Sequence, residues 1–108
     1  MHDMHDGSVG EAATWLHHYL AGPRGLLRSR TYRSGHTAIF VWFDTGAGSA
    51  SLHTPIPLIV VSPHTPRRHF TKAITNYQLL HTWESLLHLP CINLACGARG
   101  LTRTFHLR

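Results

Sequence analysis

Lysine is almost missing from this chain. Of its 108 residues, Lys72 is the one lysine, Gln78 the one glutamine, and aspartate and glutamate together number 5. Charged residues amount to 14%, where ordinary soluble domains carry roughly 25%. With carboxylates only at Asp3, Asp6, Glu11, Asp44 and Glu84, a paired-carboxylate catalytic centre within one chain is not expected. Cysteine is scarce as well. Cys91 and Cys96 are too few for a disulfide-stapled secreted scaffold. The longest apolar runs, 38–43 and 56–61, are six residues each, far short of the ~20 that a membrane-spanning helix needs. The opening residues 1–7 have neither a basic nor an apolar leader region, so no signal peptide is expected and cytoplasm or nucleus is the expected location. There is no G-x-S-x-G elbow, no G-x-G-x-x-G and no Walker pattern. No complete nucleic-acid module is present either: no aromatic RNP pattern, no KH loop, no finger.

What is present is arginine and imidazole. Nine arginines accompany eleven histidines, and these, with Ser and Thr, take the surface places that Lys and Glu usually fill. The histidines run from His2 to His106 without forming a tract. Such usage follows from metal binding or proton sensing, or from the base composition of an overlapping or recently born reading frame. Charge is segregated along the chain. Asp3, Asp6 and Glu11 make the first eleven residues net −3, and the rest carry ten Lys/Arg against Asp44 and Glu84, net +8. A basic body of this kind favours polyanions such as nucleic acid, acidic lipid heads or acidic proteins, with RNA or an acidic protein surface the leading expectation. Protonation of all eleven histidines would raise the net charge from +5 to +16, so mild acid should strengthen that attraction.

One small domain, 8–108, preceded by a disordered tip, 1–7, is what this length allows. Ser8 and Glu11 form a capping box ahead of Ala12, Leu16, Tyr19 and Leu20, which share one helical face, and Gly22-Pro23 supply a left-handed stop. The expected helix is 9–21. A polar connector, 23–35, leads to two strands buried on both faces, 37–43 and 57–62. Residues 69–89 have helical periodicity up to Pro90. A short strand, 91–96, a hairpin loop at 97–100 and an edge strand, 101–107, complete the order α-β-β-α-β-β. The expected fold is α+β, two helices on one face of a mixed four-stranded sheet, with a βαβ crossover through 69–89.

Three groups of residues bear on chemistry. Arg24, Arg28, Arg30 and Arg33, with Tyr19 and Tyr32 nearby and no acid between Glu11 and Asp44, form a candidate polyanion surface to which Arg67 and Arg68 add. His81, His88, Cys91 and Cys96 are a chemically apt zinc set, two imidazoles and two thiolates, although H-x6-H-x2-C-x4-C matches no standard finger. The alternative is surface histidines with two buried, apolar thiols. His64 and His69 bracket a proline turn suited to metal or phosphate, or to a solvated basic loop. His17 and His18 point in different directions around a helix and cannot readily share a ligand.

Asp44-Thr45-Gly46-Ala47 follows an apolar strand. This loop resembles the active-site signature of the retropepsin-like aspartic proteases, with a fainter echo in 92–101. The resemblance implies a homodimer in which Asp44 from each subunit shares one proton and Thr45 braces the loop. It covers about ten residues, and the helical pattern at 69–89 and the lack of glycine between Thr54 and Cys96 depart from that family's nearly all-β fold. The bland reading is a strand-end aspartate bonded to its own turn. The expectation is therefore a small basic accessory protein, non-enzymatic and without a resident cofactor, that binds a polyanion; the alternative is a homodimeric aspartic protease using Asp44.

Overall fold

The computed structural model describes residues 7–43 and 56–107. The tip 1–6 and the Asp44-Thr45-Gly46 loop lie outside the described residues. The chain divides into two compact units, Met1–Thr37 and Ala38–Arg108.

The first unit opens with α1, Val9–Ala21. Its start is set by the capping box. The Ser8 hydroxyl accepts the Glu11 N–H at 3.1 Å, and the Glu11 carboxylate accepts the Ser8 N–H at 3.0 Å, so two otherwise orphaned donors are satisfied. The stop works differently from the expected left-handed cap. Gly22 is extended, with φ −60° and ψ 175°, and its N–H donates to the His18 carbonyl at 2.8 Å. Gly25 is needed for closeness instead. A Cβ there would stand 2.4 Å from the Leu20 carbonyl oxygen. The expected connector then folds into two helical turns, a 3-10 turn at Leu26–Arg28 and α2 at Arg30–Arg33. Ser29 joins them: its hydroxyl donates to the Leu26 carbonyl at 2.6 Å and accepts the Tyr32 N–H at 3.2 Å. Gly35, at φ 86°, turns the chain out of α2.

The second unit begins with an antiparallel pair, β1 (Ile39–Trp42) and β2 (Leu58–Val61), in the register Ile39↔Val61 to Trp42↔Leu58. Strand alternation sends Phe40, Trp42, Leu58 and Val60 to one face. That face meets α3, Asn76–Leu86. The Trp83 ring lies edge-on to both Phe40, at 5.9 Å between centroids, and Trp42, at 5.0 Å. The core is Ile56, Ile74, Leu79 and Leu101, flanked by Phe40, Leu58, Trp83 and Phe105. The strands are not buried on both faces as expected, since Trp42 and Ile59 remain exposed at the surface.

The four-stranded sheet is the largest correction. Among the described residues the sheet has two strands, and the crossover through α3 is absent. Residues 91–97 form a disulfide-closed loop with a 3-10 turn at Asn93–Gly97, and 101–106 form consecutive turns. The physical cause is local. Asn93 and His106, inside the two expected strands, have positive φ, at 47° and 53°, outside the β region. The Ile92 N–H, which a ladder would need, donates to the Glu84 carboxylate at 3.0 Å. The Leu101 N–H likewise donates to the Thr82 hydroxyl, at 2.8 Å. The helix is also shorter than the expected 69–89. Thr75 and Gln78 make a second capping box that starts it at Asn76, and Leu87 ends it before Pro90 is reached.

Candidate functional site

The residues after β2 are held by a small hydroxyl relay. Thr65 Oγ1 donates to the Phe105 carbonyl at 2.7 Å. It therefore has no proton left for Ser62, so the 2.8 Å contact between the two hydroxyls must have Ser62 as donor. The Ser62 oxygen then accepts the N–H groups of His64, at 3.2 Å, and Thr65, at 3.0 Å. Every hydrogen of the relay is committed, and the turn is tied to the C-terminal turns of the same unit. Farther on, the Ile56 N–H donates to the Ile74 carbonyl at 2.9 Å. The segment 66–73 is thus anchored at both ends.

On this anchored segment stand Arg67, Arg68, His69 and Lys72, all exposed. Arg68 Nη2 donates to the Thr104 carbonyl at 3.3 Å, a contact that orients the guanidinium and neutralises no charge. The carboxylate of the second unit's described residues is Glu84, and it is buried and already engaged by the Ile92 N–H. Two cavities open beside the segment. One, of about 510 Å³, is lined by Leu58, Phe70, Ile74 and Phe105 together with Arg68, His69 and Lys72. The other, of about 650 Å³, is bordered by Arg67, Arg68 and His69.

The other expected site residues are distributed as follows. Arg24, Arg28, Arg30 and Arg33 are exposed on the first unit, where Trp15 and Tyr19 stack at 5.1 Å with planes 10° apart. Arg67 and Arg68 belong to the second unit. The zinc set is not assembled. Cys91 and Cys96 are joined as a disulfide with Cα atoms 5.1 Å apart, so neither sulfur is a thiolate. Both cysteines are exposed, where apolar burial was the alternative. His88 lies beyond the end of α3, not on its face two turns from His81. Among the described residues no three His, Cys, Asp or Glu side chains are grouped to hold a metal ion. His81 Nδ1 instead stands 3.9 Å from Glu84 Oε2, and neither atom has a hydrogen-bond partner among the described residues. No helix among the described residues is long and apolar enough to cross a membrane.

Sequence reasoning did not mark Lys72 or the wall of the cavity, because these residues converge only through folding. It also missed the disulfide, for which the five-residue spacing of Cys91 and Cys96 was a usable signal.

No protein-family model matches the chain, and no solved structure matches it at a significant level. A phosphatidylinositol-3-phosphatase of Mycobacterium tuberculosis is 26% identical over 100 residues, covering 93% of this chain and 31% of that protein. The chain thus spans about a third of the length of that relative.

Proposed function

We propose that this chain is a basic binding module for phosphorylated polyanions, with a phosphoinositide headgroup as the ligand class, and that it acts by binding without catalysing a reaction. The observation that carries the reading is the anchored run of Arg67, Arg68, His69 and Lys72. It is exposed, and no carboxylate among the described residues pairs with its cations. Guanidinium and ammonium groups so placed gain most from ligands that concentrate negative charge, and a phosphate monoester does so more than a carboxylate. The likeness to a phosphatase of a phosphorylated lipid supports the choice of headgroup over RNA or an acidic protein. Arg24, Arg28, Arg30 and Arg33 add longer-range attraction.

The test is sedimentation with phosphatidylcholine vesicles containing either phosphatidylinositol 3-phosphate or unphosphorylated phosphatidylinositol, across a salt series. Preference for the phosphorylated vesicles, with log affinity falling linearly against log salt, is the expected result. Equal binding to both, or affinity unmoved between low and moderate salt, would falsify the reading. Single-stranded RNA in the same series serves as a competitor. If it outcompetes the vesicles, nucleic acid is the partner.

A further inference from the structure

The 510 Å³ cavity is two-natured. Its volume falls within the range of small-molecule sites, about 300–1,000 Å³. Phe70 and Phe105 stand 5.8 Å apart between ring centroids, tilted by 54°, and form an aromatic wall continued by Leu58 and Ile74. Arg68 and Lys72 supply two positive charges on the same lining, and no carboxylate is among the described residues there. Inorganic phosphate would use only the cations. An apolar molecule would use only the wall, leaving two cations unpaired.

We infer that this cavity binds a phosphate monoester carrying an apolar substituent, the phosphate on Arg68 and Lys72 and the substituent against Phe70 and Phe105. The inference rests on the same cations but goes beyond the reading above, since the phosphate of a phosphoinositide headgroup stands on a polyol ring and not on an apolar group. Arg68 is already turned toward the C-terminal turns by its bond to the Thr104 carbonyl, so part of its side-chain freedom is spent before a ligand arrives. Its guanidinium retains further N–H donors for a forked contact with two phosphate oxygens. Lys72 complements it as a mobile point charge. The neighbouring 650 Å³ cavity is also bordered by Arg68 and His69. Arg68 therefore stands between the two hollows, where a bound dianion would meet it from either side.

The experiment uses the whole chain and calorimetric titration with phenyl phosphate, inorganic phosphate, phenol and a monomeric short-chain phosphatidic acid. Phenyl phosphate should bind about ten-fold or more tightly than inorganic phosphate or phenol. Arg68→Gln and Lys72→Gln should each weaken it by roughly ten-fold, the scale of one charge-assisted contact. Phe70→Ser should erase the advantage over inorganic phosphate while leaving inorganic phosphate binding as it was. Val60→Phe enlarges a residue lining both cavities without changing charge, and should abolish phenyl phosphate binding while heparin retention stays at the parent level. A phosphatidic acid stronger than phenyl phosphate makes the natural ligand a lipid; the reverse order makes it a soluble ester. Phenyl phosphate binding no better than inorganic phosphate overturns the inference. So does its survival in folded Val60→Phe, or, if that variant does not fold, its undiminished advantage in Phe70→Ser. Loss of the cavity results with heparin and vesicle binding intact refutes this site alone. Phenyl phosphate binding in a chain that ignores phosphorylated vesicles refutes the wider reading alone.

Discussion

Thr82 and Glu84 illustrate how much two buried polar side chains can organise. Thr82 is 0% exposed; its hydroxyl donates to the Gln78 carbonyl at 2.6 Å and accepts the Leu101 N–H at 2.8 Å. A buried N–H left without a partner costs about 1–3 kcal/mol. Thr82→Val keeps the shape and removes the acceptor, so urea unfolding should show a loss of that size, while Thr82→Ser should lose less. Glu84 acts similarly on Ile92. Ile92 is itself exposed, so water can replace the acceptor: Glu84→Ala should destabilise the second unit by about 0.5–1.5 kcal/mol, and Glu84→Gln, which keeps an acceptor oxygen, by clearly less. Equal losses for the two would show that the bond to Ile92 is not what matters. Gly25 makes the same point through space. Gly25→Ala places a carbon 2.4 Å from the Leu20 carbonyl oxygen, so the turn after α1 must move, and helicity measured by circular dichroism should fall.

At the scale of elements, the helices were legible and the later strands were not. The Ser8–Glu11 box gave α1 its bounds, because capping is decided by residues three apart. The Thr75–Gln78 box was equally present in the sequence, yet helical periodicity running back to residue 69 concealed it. Ser8→Ala and Thr75→Ala should each cost about 1 kcal/mol of helix stability. The stretch 91–107 has the apolar content of strands, but a strand needs a neighbouring ladder, and here the Ile92 and Leu101 amides are taken by side chains from α3 while others close local turns. The disulfide closes a short loop in the same region. Loop-closure entropy for so few residues is on the order of 2 kcal/mol, so reduction or Cys91→Ser with Cys96→Ser should lower the unfolding free energy by that amount and shift the midpoint down accordingly. An unchanged midpoint would show that the loop is held by the Glu84–Ile92 contact instead.

For the whole molecule, the proposed binding rests on charge, and its salt dependence is the property to measure. Arg67 and Arg68 are exposed on an anchored segment, and if they contact phosphate, converting both to Gln should reduce the salt slope of polyanion binding by about 2. The same change in Arg30 and Arg33, on the first unit, should reduce on-rate more than specificity. A slope that responds equally to both pairs would place the contact surface on both units. The amino-acid order alone determined the positive body, the two cysteines, the helix caps and the want of a membrane-spanning run, since each depends on composition or on neighbours a few residues apart. Folding decided which strand faces are covered and where the amides of 91–107 go. It also decided that Arg68 and Lys72 share a hollow with Phe70 and Phe105, because contacts between residues some 35 positions apart depend on how the chain packs.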